Sequence, residues 1–265
     1  MHIVVCVKQT PAATQVPVDA ATGKLKTEGL PYGLNPWDEY AIEEALRIKE
    51  KLAGSTVTVL SLGPARAEEA VRSALALGCE EGVLLTDPAF EGTDNLGSSY
   101  LLSLGVRKLH ATKPVGLVLC GKQSNDNESG SVAPALGAWL EWPSVAYVRK
   151  FASIDDKLAK VERASEDGTD TLELDLPAVV SVIKEINEPR LPSLKGKMNS
   201  KKAPVAKWGA ADLGAEAAKV SSGGRLALVG STPPPPRGGG IVVPGASAQE
   251  KAAFVAIKLK ELKFI

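Results

Sequence analysis

This 265-residue chain has few cysteines, few histidines, few aromatics and no excess of either charge, and each shortage removes a class of function. The three cysteines, Cys6, Cys79 and Cys120, stand far apart, each within or beside an apolar stretch. With only two histidines they form no zinc or iron–sulfur ligand set. Lys plus Arg equals Asp plus Glu at 31 each, so no global field favours nucleic acid or an anionic membrane, and partners must be recognised locally. Aromatics make up 5%, too few for a platform on which single-stranded nucleic acid would stack. No apolar run approaches the ~18 residues of a membrane span, and the start, MHIVVCVKQ, lacks the longer apolar core of a secretory signal. A soluble, cytoplasmic protein with no nucleic-acid partner and no direct membrane insertion is expected.

What is present is a regular alternation. The β-branched run IVVCV (3–7) suits a strand covered on both faces of a parallel sheet. After a Pro- and Thr-rich loop with a turn at DAATGKL, the stretch NPWDEYAIEEALRIKEKLAG reads as a helix with Asn35 at its N-cap, Pro36 in its first turn and Gly54 at its end. Strand and helix then repeat through TVTVLSLG, ARAEEAVRSALALG, EGVLLT, LGSSYLLSLGVRKLH and VGLVLC. The fold class is therefore α/β, a doubly wound, mostly parallel sheet built from βαβ units. From residue 146 the stretches AYVRKFASI, KLAKVERA, DTLELDL and AVVSVI alternate in part and read as antiparallel strands extending that sheet. Beyond Ile186 the chain is rich in Pro, Lys and Gly and reads as irregular. SGGRLALVGS reads as turns, GSTPPPPRGGG as a polyproline linker, and AQEKAAFVAIKLKELKFI as an amphipathic helix. The expected division is an α/β domain over 1–190, then a loop, linker and C-terminal arm over 191–265.

In an open parallel sheet, ligands bind beyond the carboxyl ends of the strands. Three polar loops fall there: CVKQTPA with Cys6 and Lys8, SLGPAR with Ser61, Gly63 and Pro64, and CGKQSNDNESGSV with Gly121, Lys122, Gln123, Asp126, Ser129, Gly130 and Ser131. Glycines and short hydroxyl side chains let backbone N–H groups approach an anion, which points to an adenine nucleotide and its phosphate. Local capping of turns explains any one such loop equally well; three at one sheet edge favour binding. Neither GxxxxGK[ST] nor GxGxxG after the first strand is present. His2 and His110 have no nucleophile beside them, the serines lack a strained elbow, and Cys6 and Cys120 read as strand-end core residues. No catalytic residue is expected, and any redox chemistry would be a cofactor's.

The stretches VVCVKQ, NPWDEYAIEEALRIKE, LGPARAEEAVRSALALG, LVLCGKQSNDNES, LPAVVSV and NEPRLPSLKGKM, in that order over residues 1–205, resemble the β subunit of electron transfer flavoprotein. The resemblance implies a heterodimer with an α subunit that carries FAD and passes electrons between a flavin dehydrogenase, such as an acyl-CoA dehydrogenase, and an acceptor. It implies FAD held by or shared with the α subunit, and in this chain either AMP or a second FAD, the latter in electron-bifurcating members that oxidise NADH. It carries nucleotide contacts onto Cys6, Asn35, Ser61, Gly63, Asp126, Gly130, Ser131 and Val132. DNESGSVA resembles the bifurcating DGDTAQVGP more than the AMP-type DDDCNQTG, and Phe90, Gly92 and Asp94 fit that group's F-x-G-x-D-T. Against it, Asn95 replaces the threonine and Lys122 an arginine. Ala13 and Ala164 depart from the flavin-neighbouring aromatic and the gating glutamate of AMP-type members. The pattern leans toward two FAD, with AMP as the alternative. PRLPSLKGKM resembles the recognition loop, with Leu194 as the residue that enters a dehydrogenase pocket and lysines around it. The rival readings from the residues alone are a nucleotide-binding regulatory or stress-type module and a transferase or ligase using the same cradle.

Overall fold

The structure, a computed structural model, describes residues 1–13, 16–19, 22–220, 232 and 238–265. The chain divides into two compact units, Met1–Val16 with Lys26–Val229, and Pro17–Leu25 with Gly230–Ile265. The turns expected at SGGRLALVGS and most of the polyproline segment lie outside the described residues.

In the first unit the chain runs β1 (His2–Val7), β2 (Gln9–Pro11), β3 (Tyr32–Leu34), α1 (Pro36–Lys51), β4 (Thr56–Leu62), α2 (Glu68–Leu77), β5 (Glu81–Leu85) and α3 (Asn95–Thr112). It continues through β6 (Val115–Gly121), α4 (Val132–Leu140), β7 (Ser144–Ile154), β8 (Leu158–Ser165), β9 (Gly168–Asp175) and β10 (Ala178–Val182). The last elements are α5 (Leu194–Lys202), β11 (Val205–Trp208), α6 (Ala210–Leu213) and α7 (Ala217–Val220). Among the described residues nine strands form one sheet, ordered β11-β5-β4-β1-β6-β10-β7-β8-β9, with β2 and β3 a separate antiparallel pair. Seven neighbours from β11 to β7 run parallel, and β8 and β9 extend the edge antiparallel.

Both faces are covered, so β1 and β10 are buried throughout and read as continuous apolar runs. On one face, Ala41, Ile42 and Ala45 of α1 and Val71 and Ala74 of α2 pack on Ile3, Val5, Val57, Val59 and Leu119. On the other, Leu101, Val106 and Leu109 of α3 and Leu136 and Leu140 of α4 pack on Val4, Leu60, Leu85 and Val118. The doubly wound expectation holds. The strand order reverses beside β1: β4 and β5 build to one side and β6 to the other, which opens a crevice where β1 and β6 end.

Two expectations are corrected. AVVSVI (178–183) is not an antiparallel strand; β10 is inserted between β6 and β7, parallel to both, because its residues are apolar on both faces and only an interior position covers them. The stretch after Ile186 is not irregular either. Pro and Lys content hid the helix α5, capped by Ser193, whose hydroxyl accepts from Gly196 N at 3.0 Å. They also hid β11, which pairs with β5 as an edge strand.

The histidines are structural. His2 bonds Thr58 Oγ1 (2.8 Å) and Lys113 O (3.1 Å), and His110 Nδ1 accepts from Val115 N (3.0 Å). In the second unit, Val18 pairs antiparallel with Leu25 around Gly23, and α8 (Ala248–Glu261) is opened by a capping box in which Ser247 and Glu250 bond each other's backbone N–H. Among the described residues no helix is long and apolar enough to cross a membrane.

Glu43 ties the segment after β10 to α1. Its side chain, 4% exposed, accepts from Arg47 Nε (2.7 Å) and from Arg190 Nε (2.7 Å) and Nη2 (3.2 Å). Burial works against its charge, but the two guanidiniums outweigh it and hold the carboxyl below its ordinary value of 4.5. Because the folded pKa is depressed, this contribution is present above pH 4.5 and is lost as pH falls through the folded value. Glu43→Gln should cost about 1 kcal/mol in chemical denaturation at pH 7, since a neutral amide replaces charge-assisted bonds to two half-exposed arginines, and the gap to the native chain should close toward pH 3.

Candidate functional site

The crevice is a cleft partly open to solvent. Its floor and walls are apolar: Cys6, Leu62, Leu102, Cys120, Val132 and Ala133. Polar groups enter from the ends of β1 and β6 and from the loop 121–131.

One buried carboxylate organises that floor. Asp38, in the first turn of α1 and 5% exposed, accepts from Lys8 N (2.8 Å), from the backbone N–H of Gly121 and from the Asn35 side chain. It thereby joins the end of β1, the start of α1 and the end of β6. Gly121 is required by this approach, since a Cβ there would lie 2.5 Å from Asp38 Oδ1 and 2.6 Å from the Trp37 carbonyl. Burial raises the Asp38 pKa to about 7 despite these donors.

Asn35 occupies the N-cap position of α1 but makes no side-chain cap bond. Its amide instead donates to Gln123 O (2.9 Å) and accepts from Asn125 N (3.2 Å), clamping the polar loop. On the other side Asn127 Nδ2 donates to Asn95 Oδ1 (3.0 Å) at the start of α3. Between these clamps the chain passes Glu128 and Gly130 at φ of 53° and 61° and enters α4, whose first-turn N–H groups have no intrahelical partner. Lys8 Nζ bonds both Asp126 oxygens (2.7 Å each) and Ser124 Oγ (3.4 Å). Burial opposes the Asp126 charge, but Lys8 and Ser124 hold its pKa below the usual range.

Of the residues expected at the site, Cys6, Lys8, Asn35, Gly121, Lys122, Gln123, Ser129, Gly130 and Val132 line the cleft together. Asp126 and Ser131 sit one contact behind, on Lys8 and Ser129 respectively. Ser61, Gly63, Pro64 and Asp94 are not among the lining residues. Ser61 lies beside Val7, its buried hydroxyl without a protein partner. Gly63 packs against Ala67, Pro64 precedes a short 3₁₀ turn, and Asp94 caps α3 through Gly97 N at 2.8 Å. Sequence reasoning did not assign Asp38, Asn95 or Ser98 to the site, though all three line the cleft. Cys6 and Cys120 face each other in register, and their contact together with burial raises the Cys120 pKa well above that of a free thiol, as suits inert core residues.

The donor set fits an adenylate: an apolar slot for the purine, and backbone N–H groups at the start of α4 beside a lysine for phosphate. An electron transfer flavoprotein domain matches residues 22–213. The electron transfer flavoprotein subunit beta of Clostridium acetobutylicum is 37% identical over 265 residues, all of both chains. That of Thermoanaerobacterium thermosaccharolyticum is 44% identical over 200 residues, 76% of this chain and 75% of the relative. The chain belongs to the electron transfer flavoprotein β-subunit family. The caffeyl-CoA reductase-Etf complex subunit CarD of Acetobacterium woodii is also similar, 40% identical over 214 residues, 81% of this chain and 80% of its own.

This electron transfer flavoprotein subunit carries a second feature outside the cleft. Leu191, Leu194 and Met198 are 90%, 76% and 61% exposed around the start of α5. Leu194 is the first residue of the helix α5. Arg72 Nη1 binds Ser200 O (2.5 Å) and Ala203 O (3.2 Å), and Gly196 packs on the Ala76 carbonyl, so α5 is fastened to α2. Leu191, in the same PRLPSLKGKM stretch, is more exposed than Leu194 but was not singled out from the sequence.

Asp38 offers a test. Its folded pKa is raised from 3.8, so its contribution to stability is full below pH 3.8 and is lost as pH rises toward 7. In equilibrium denaturation, the stability of the native chain relative to Asp38→Asn should fall between pH 4 and 7 and level off above. A flat difference would show that Asp38 ionises normally.

Proposed function

We propose that this subunit pairs with an α subunit and that its cleft holds an adenine nucleotide, as a structural AMP or as the adenylate end of a second FAD. The carrying observation is the cleft at the strand-order reversal, with the apolar slot, the start of α4 and Lys122 on one rim. Cys6, Leu102, Cys120 and Val132 would enclose the purine, and Gly130, Ser131 and the first turn of α4 would meet phosphate. The flavin supplies the electron-accepting and electron-donating chemistry; this chain binds, orients and excludes water, and contributes no catalytic residue. Residues 1–190 act as the nucleotide domain and 191–265 as the partner-facing arm, with α8 docking on the α subunit.

Leu191, Leu194 and Met198 would form an apolar anchor for a dehydrogenase, ringed by Lys195, Lys197, Lys201 and Lys202, which would steer an acidic partner surface. Similarity to a caffeyl-CoA reductase-Etf complex subunit supports an acyl-CoA-linked enzyme as that partner; in the two-FAD case NADH would be a donor. The cleft motifs favour two FAD, AMP being the second reading.

Coexpression with the α subunit should give a yellow heterodimer. Denaturing it should release an adenine nucleotide from this chain, identifiable by mass as AMP beside one FAD or as two FAD. A colourless product that releases no purine defeats the proposal and favours a regulatory module. Leu194→Ala should leave assembly and flavin content intact while raising about ten-fold the dehydrogenase concentration needed for half-maximal electron transfer, as follows from removing one buried leucine from the docked complex.

A further inference from the structure

Between β10 and α5 the chain crosses from α1 to α2, and the exposed Leu191 and Leu194 lie on that crossing. Its first half is strapped to one stripe of α1. Tyr40, Glu43, Glu44, Arg47 and Glu50 recur at helical spacing along that helix, and residues 187–190 bond to each of them. Asn187 Nδ2 donates to Tyr40 O and to Glu44 Oε2, both at 3.0 Å, and Arg47 Nη2 donates to Glu188 O at 3.2 Å. Arg190 closes the strap. Its backbone N–H (3.2 Å), Nε (2.7 Å) and Nη2 (3.2 Å) donate to Glu43, and its Nη1 donates to Glu50 Oε1 at 2.6 Å.

This grip needs an arginine. A planar fork that engages Glu43 through two nitrogens and Glu50 through a third cannot be copied by lysine, whose compact ammonium has no such spread. All three guanidinium nitrogens are turned to α1, while the next side chain, Leu191, stands in solvent. Pro189 and Pro192 flank the pair, and each fixes its own φ and has no N–H. The second half of the crossing is held by Arg72 and Gly196 on α2. The leucines therefore stand between two arginine anchors, Arg190 on α1 and Arg72 on α2. With the first anchor released, residues 187–193 would gain conformations that each docking event has to remove again.

We propose that Arg190 is a positioning residue for partner docking: by gripping Glu43 and Glu50 it fixes how Leu191 and Leu194 are presented to the dehydrogenase, and it does not touch that partner itself. This rests on the docking reading above and deepens it. The test is a double-mutant cycle of Arg190→Gln and Leu194→Ala in the complete heterodimer, with an acyl-CoA dehydrogenase whose electron transfer saturates with the native heterodimer. Arg190→Gln should leave flavin content and the rate at saturation unchanged while raising the half-saturating dehydrogenase concentration about ten-fold, the scale of re-ordering a few residues. Arg190→Lys should lie between native and Arg190→Gln. Combined with Leu194→Ala, Arg190→Gln should give about twenty-fold rather than a hundred-fold, because a leucine that has been removed no longer gains from being held. If Arg190→Gln loses flavin or the α subunit, Glu50→Gln takes its place in the cycle; it releases only the exposed end of the grip and should raise half-saturation about three-fold. A combined effect equal to the product of the single effects marks Arg190 as an independent contact and overturns the positioning role. Unchanged half-saturation in the clamp variants, or a fall in the saturated rate alone, overturns it too. In these cases a Leu194→Ala effect leaves the docking reading standing. No effect of Leu194→Ala removes that reading, and this proposal with it.

Discussion

The cleft depends on the Asp38 carboxylate. In a parallel sheet the strand ends on one rim leave backbone N–H groups that must find partners, and the ends of β1 and β6 find the same one. Because Asp38 sits in the first turn of α1, that helix is fixed to the switch point by hydrogen bonds as well as by packing. Burial of the carboxylate works against its charge, as its raised pKa records, and the donors return only part of that penalty. The gain is a rigid floor. Loops that start from fixed points can wrap a ligand with little entropy left to lose.

The polar richness of residues 121–131 follows from this frame. Much of it is spent on holding the loop rather than on exposing donors to a ligand. The Asn35 amide engages Gln123 and Asn125, Asn127 reaches Asn95 and turns back to Ser129 N at 3.0 Å, and Asp126 engages Lys8. What remains for a ligand is the backbone near Gly130, the start of α4 and Lys122. A cluster of amides and acids can thus be a scaffold for a small number of contacts.

The parts of the fold legible in the sequence were those set by periodicity: the βαβ alternation to residue 121 and the β7–β9 meander, where cross-strand pairs such as Lys150–Glu162 and Arg163–Asp170 keep the polar face outward. What stayed hidden was set by tertiary context. The run 178–183 carries the same residues whether it closes a meander or slides between two parallel strands, and only its burial on both faces decides. Residues 194–208 look like linker by composition, yet Ser193 caps a helix and β5 offers an unpaired edge that β11 completes. At the site, glycines and the loop residues were readable because their chemistry is local. Asp38 was not, because an acid in a first turn ordinarily serves the helix dipole, and nothing in one dimension distinguishes it from Glu39 beside it.

The two proposed surfaces make opposite physical demands, which suits their lying on separate elements. A nucleotide that stays bound needs a desolvated slot with fixed donors, and the cleft sits at the sheet's interior switch point, where β1, β4 and β6 meet α1, α3 and α4. A docking site that must release its partner quickly needs the reverse, a small apolar group exposed on a firm base, where little area is buried and dissociation stays fast. Leu191 and Leu194 would meet that need because α5 is fastened to α2 by Arg72 and by the close approach of Gly196. Had the segment been the loose linker its composition suggests, each encounter would have to order it first, and that entropy would weaken the docking proposed for the exposed leucines.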